Sequence, residues 1–174
     1  MEALKIVGLA VLGAVLYGIV HDQVTVRICL EYFTEFHPFL VPTQDPTLLA
    51  LAWGVAATWW VGLPLGLLLA AAARLGRRPK LAARDLLRPV LVLLGVMGAF
   101  ALLAGVVGYL LGRSGAIVVA PRLADAIPGA RHAAFLACLW AHNASYLVGA
   151  VGGLVLVVRT WRRRGRAATG ARGP

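Results

Sequence analysis

Four stretches of the chain stay apolar long enough to cross the hydrocarbon core of a bilayer, which takes about 20 helical residues. They run from Leu4 to Val20, Leu48 to Ala73, Val90 to Leu111 and Ala133 to Val158. Polar residues gather between these windows rather than inside them. The pattern predicts an all-α integral membrane bundle of four transmembrane helices over residues 1–158, followed by a basic tail, 159–174, expected to be disordered. The first window is short by itself, so its helix is expected to continue through His21 towards Thr25, with Lys5 reaching back to the headgroups. That would put His21 and Asp22 at the membrane border. The window has the look of a signal-peptide core, but it ends in Gly18-Ile19-Val20-His21 without a small-residue cleavage site, and further spans follow. A retained helix is the reading.

The connections carry weaker patterns. Between Val24 and Leu30 apolar and polar residues alternate, which suits an extended strip lying across the mouth of the bundle. A helix there would instead align His21, Thr25, Ile28 and Tyr32, a less clean division. From Gly112 to His132 the chain contains Pro121-Arg122-Leu123-Ala124-Asp125-Ala126-Ile127, with proline suited to a first helical turn and Pro128-Gly129 ending it, so a short interfacial helix is expected. Small residues recur at helical spacing in every window. They are Ala10, Ala14 and Gly18; Gly62 and Gly66 about Pro64; Gly105, Gly108 and Gly112; and Ser145, Gly149 and Gly153. Such stripes let membrane helices approach closely, and Pro64 should kink the second helix just below its middle.

Composition agrees with a bilayer as solvent: 60% of residues are hydrophobic, 14% are charged and the mean hydropathy is +0.83. A net charge of +10 could suggest nucleic acid, but no interleaved aromatic and basic surface accompanies it. The charges cluster at the ends of apolar runs instead. Thirteen of the seventeen basic residues lie at Lys5, between Arg74 and Arg88, or beyond Val158, and the positive-inside rule places that side in the cytoplasm. Both termini are then cytoplasmic in a cell (inner) membrane. Residues 21–47 and 112–132 are extracytoplasmic, with an ordered polar segment after helix one. The basic loop and tail are expected to rest on anionic lipid headgroups.

The polar segment reads HDQVTVRICLEYFTEFHP from His21 to Pro38, an unusual density of ionisable groups. A second polar constellation lies within the fourth window. Cys138, His142, Ser145, Tyr146 and Gly149 share one helical face, and His142 sits about 15 Å deep at the helical rise. An ionisable residue at that depth is a functional-site hypothesis by default. Trp53 reads as an interfacial anchor, whereas Trp59 and Trp60, deeper in the span, read first as packing against neighbouring helices and alternatively as the wall of a ligand cavity. Cys29 and Cys138 read as two free thiols, because the outer segment would have to fold inwards to pair them.

The run from His21 to Pro38, with Trp59-Trp60 and the His142-x-x-Ser145-Tyr146 pattern, resembles a family of small bacterial four-helix membrane proteins. That resemblance implies the architecture and the choice of residues, and carries no activity. The residues leave several functions open. One is an enzyme acting on a lipid headgroup or lipid-linked substrate at the extracytoplasmic border. There His21 or His37 would be the base, Asp22 would orient it and Glu31 or Glu35 would be an acid or metal ligand. Thr25, Arg27, Tyr32, Trp60, Ser145 and Tyr146 would contact the substrate, with Arg27 on a phosphate. Another is metal or haem binding by the same histidines and carboxylates, although no tight spacing such as HExxH is present. The third is a proton-coupled carrier relaying through His142, for which a homodimer would be needed to enclose a pathway, or a non-catalytic assembly factor.

Overall fold

The computed structural model describes residues 1–38 and 40–170, with side chains described through Arg166. Among these the regular structure is all helix, with no strand. The elements are α1 (Glu2–Ile28), α2 (Glu31–Thr34), α3 (Pro46–Ala56), α4 (Trp59–Arg74), α5 (Arg84–Arg113), α6 (Pro121–Ala124), a 3-10 turn at Gly129–Arg131, and α7 (His132–Gly170). Four helical stretches are long and apolar enough to cross a membrane: Glu2–Ile28, Pro46–Arg74, Arg84–Arg113 and Gly129–Arg166.

Three expectations are corrected. The segment from Val24 to Ile28 is helical, not extended, so α1 runs on past His21 and Asp22 for about one and a half turns. Burying Asp22, Thr25 and Val26 along one helical face outweighs the period-two alternation. The tail from Arg159 is likewise helical to Gly170, continuous with α7, because Arg164 is sealed into the bundle. Finally, the second span is broken, and the break falls at Ala57–Thr58, before Pro64 rather than at it. Pro64 cannot donate to the carbonyl one turn back at Trp60, and its ring crowds that carbonyl, so the disturbance lies on its N-terminal side. The break is closed locally: Thr58 Oγ1 donates to the Gly54 carbonyl, and the Val61 and Gly62 amides both return to the Thr58 carbonyl.

α1 packs against α3 and α4, α5 lies along α7, and α4 and α7 close the bundle. The small-residue stripes sit at these seams. A Cβ on Gly62 would come within 2.9 Å of Ala14 Cβ and Val11 Cα, and one on Gly66 within 3.0 Å of Ala10 Cβ. On the other seam a Cβ on Gly108 would lie 2.8 Å from the Leu136 carbonyl. Backbone-to-backbone contact of this kind is what glycine permits in a membrane interface.

The two ends of the bundle differ. One is covered by a cap, in which Cys29, Tyr32 and Phe33 pack with Leu49, Ile127 and Phe135. Glu31 joins the cap to the start of α7 through Arg131, whose Nε donates at 3.1 Å and whose Nη2 donates to the Ile28 carbonyl at 2.8 Å. The other end is held by arginine. Arg164, 1% exposed, donates to the carbonyls of Ala72, Leu75, Arg78 and Pro79 at 2.6–2.9 Å. Those are orphan acceptors at the C-terminus of α4 and in the loop after it, where a cation also suits the helix dipole. Arg78 in turn lies over the Trp161 ring at 4.3 Å and donates to the Trp161 carbonyl.

Candidate functional site

The extension of α1 carries His21 and Asp22 inside the bundle, about 9 Å from the end of the helix by the helical rise, where they meet His142 of α7. His142 Nε2 faces Asp22 Oδ1 at 3.1 Å, and both residues are buried. His142 Nδ1 lies 2.8 Å from the Cys138 carbonyl one turn earlier on α7. Both ring nitrogens therefore face oxygen acceptors. A neutral imidazole has one N–H, so both contacts are hydrogen bonds at once only where a further proton lies between His142 and Asp22. Asp22 thus pairs with His142 rather than with His21 or His37, the partners expected for it.

His21 packs edge-on to His142, with ring centroids 4.4 Å apart, and stacks on Tyr17 at 5.7 Å. Its Nε2 is buried without any hydrogen-bond partner, the one such side-chain atom among the described residues. Buried polar atoms are nearly always paired, so an orphan here calls for an explanation. One ligating nitrogen from each histidine and one Asp22 oxygen lie within 4.8 Å of one another. Thr25, buried beside them, donates from Oγ1 to the His21 carbonyl at 3.1 Å, and its own carbonyl accepts the Cys138 thiol at 3.3 Å.

The cluster borders a cavity of about 70 Å³, room for a few waters. Tyr17, Ser145 and Tyr146 form one side, with Tyr17 Oη and Ser145 Oγ hydrogen-bonded at 2.7 Å. His37 and Trp53 form another, their rings 4.6 Å apart. The break between α3 and α4 supplies Ala57 and Thr58, and Tyr146 Oη donates to the Ala57 carbonyl that the break leaves free.

Of the residues singled out in the sequence, His21, Asp22, His37, His142, Ser145 and Tyr146 converge on this cavity. Tyr32 is adjacent, its ring 4.5 Å from that of His142. The others are elsewhere. Glu31 is held by Arg131 and accepts the Cys29 thiol at 3.2 Å. Glu35 accepts from Thr34 Oγ1. Arg27 is exposed and spent on the Gln23 carbonyl and side chain and on Thr47 Oγ1, tying α1 to the start of α3. Trp60 is 56% exposed on the outside of α4, and the cavity tryptophan is Trp53, taken for an anchor. Tyr17 went unnoticed, although it lies one turn before His21 on the same face. Cys29 and Cys138 are free thiols.

In the cap, burial pushes the Cys29 thiol up to about 11, with the Glu31 hydrogen bond adding to it. Burial would raise the Glu31 carboxyl, but its backbone hydrogen bond and the Arg131 and Cys29 donors outweigh that and hold it below the usual carboxylate range. His37 is lowered chiefly by burial, with the Tyr32 carbonyl at 2.7 Å opposing.

These features fit the class of all-helical multi-pass membrane proteins with a polar cluster between the first and last spans. No protein-family model, curated protein sequence or solved structure matches the chain.

Proposed function

We propose that the chain is a multi-pass protein of a bacterial inner membrane that holds a divalent transition-metal ion between His21, Asp22 and His142. The observation that carries this reading is the orphan His21 Nε2, sealed from water beside a second imidazole and a carboxylate. Two imidazoles and a carboxylate suit zinc, iron(II) or a similar ion. In a tetrahedral centre, bonds of about 2.1 Å place ligand atoms about 3.4 Å apart, so the widest pair of the 4.8 Å set must draw in by up to about 1.4 Å, which side-chain rotation has to supply. The His142 Nδ1 bond to the Cys138 carbonyl is the outer-shell support that a metal-bearing imidazole normally has. Three protein ligands with a position open to a cavity is the arrangement of catalytic rather than structural centres. Arg27, Glu31 and Glu35 are not assembled with the histidines, so the lipid-headgroup enzyme is the weaker reading.

The arginine-held end is cytoplasmic in this account, with both termini, since most basic residues lie there. A second reading has one observation in its favour. Without an ion, the proton between His142 and Asp22 is held in a cavity and could be relayed, as in a proton-coupled carrier. The two are linked, because the metal displaces that proton. The test is elemental analysis of untagged protein purified in mild detergent without chelator. The account expects about one divalent ion per chain, lost in both Asp22→Asn and His142→Gln. Wild-type protein that takes up no ion from a metal-supplemented buffer would leave the proton relay as the better reading.

A further inference from the structure

At the arginine-held end, a groove of about 430 Å³ opens between α5 and α7, a size in the range of ligand pockets. Its walls are apolar, from Leu86, Val92, Leu93 and Val96 on α5 and from Val155 and Leu156 on α7. Gly152 deepens it: a Cβ there would run into the Leu93 side chain. Three arginines line the same groove: Arg88 from α5, and Arg159 and Arg163, one turn apart, from α7. No carboxylate is among its lining residues.

The arginines of this end differ in what holds them. Arg74, Arg78 and Arg164 are committed to backbone carbonyls. Arg88, Arg159 and Arg163 are exposed and make no hydrogen bond or ion pair among the described residues. Exposed arginines alone would mean only the ordinary charge bias of a membrane protein. Here three uncommitted guanidinium groups from two helices border one apolar slot.

We propose that this groove is a binding site for an anionic phospholipid, its phosphodiester bracketed by Arg88, Arg159 and Arg163 and an acyl chain laid between α5 and α7. The match is one of charge and polarity together. Guanidinium forks suit phosphate oxygens, basic pockets between spans are where anionic headgroups bind, and the slot behind them is mostly apolar, with Thr160 the one polar lining residue besides the arginines. A zwitterionic lipid could fill the slot, but its cationic end would meet arginine. The inference depends on the membrane placement of the chain and not on the metal site.

The experiment is native mass spectrometry of the full chain in mild detergent, supplied with phosphatidylglycerol and phosphatidylcholine at equal amounts. Wild type should retain phosphatidylglycerol in preference. Arg88→Gln/Arg159→Gln/Arg163→Gln should lower that retention on the order of tenfold or more, and leave phosphatidylcholine unchanged. Val96→Trp, which blocks the slot without changing charge, should lower it too. A charge-matched control, Arg77→Gln/Arg84→Gln/Arg162→Gln, should change it by less than about twofold. Equal retention of the two lipids by wild type, or equal losses in the control and the groove variant, would overturn the proposal. Helicity by circular dichroism checks each variant, and Val96→Trp alone decides the matter if the triple variant does not fold.

Discussion

An arginine sealed in a helical bundle must have its donors satisfied, and Arg164 satisfies them on four carbonyls that have no helical partner of their own. Arg164→Met should therefore leave those acceptors bare and destabilise the protein by on the order of 3 kcal/mol in detergent unfolding. Arg162→Met, two residues away and exposed, should change the midpoint little. A run of arginines past an apolar window reads as a solvated tail, and nothing in its spacing marks the one that turns inwards. His142, Ser145 and Tyr146 were legible because polar residues at helical spacing inside an apolar span have few other reasons to be there. Tyr17 was not, since a lone tyrosine in such a span looks like packing. Trp53 and Trp60 were read by their depth along the span, which does not say which of them faces the bundle: Trp53 lines the cavity and Trp60 is exposed.

At the scale of elements, the small-residue stripes foretold which faces meet, and the break in the second span sharpens the test of that. Gly54 packs on the α1 backbone, where a Cβ would come within 2.6 Å of Ile19 Cα. Neither helix can give without moving the other, so Gly54→Ala should cost about 1–3 kcal/mol in the same unfolding measurement. Gly95→Ala, where a Cβ meets nothing within 4 Å, should be neutral or stabilising by about 0.5 kcal/mol. Equal effects would mean that α1 and α3 are not packed as described. The helical course of Val24–Ile28 was hidden for a different reason. A seven-residue alternation is a local signal, while the burial that selects the helix comes from packing against α3 and α7, distant in sequence.

For the molecule as a whole, the cap should loosen in acid. The folded state lowers both His37 and Glu31 relative to their ordinary values. Each therefore contributes stability that is complete above its unfolded pKa, about 6.5 and 4.3, and is lost as the pH falls below it. Protection against amide hydrogen exchange across residues 29–38, taken relative to the slower intrinsic rate in acid, should accordingly fall from pH 7 to pH 5. In His37→Gln that fall should vanish, leaving the loss near pH 4 that belongs to Glu31. The four long apolar helices could be read from the sequence because membrane length and hydropathy are properties of single windows. The cluster of His21, Asp22 and His142 could not, because it depends on where α1 ends and which face of α7 it meets.

That cluster is the centre of the account, and X-ray absorption at the edge of the bound metal reads it most directly. Untagged wild-type protein incubated with the ion should show nitrogen and oxygen neighbours at about 2.0–2.2 Å, with outer scattering from two imidazoles, and His142→Gln treated alike should show no such bound ion. A first shell containing sulfur at about 2.3 Å, or a spectrum identical in the variant, would contradict it.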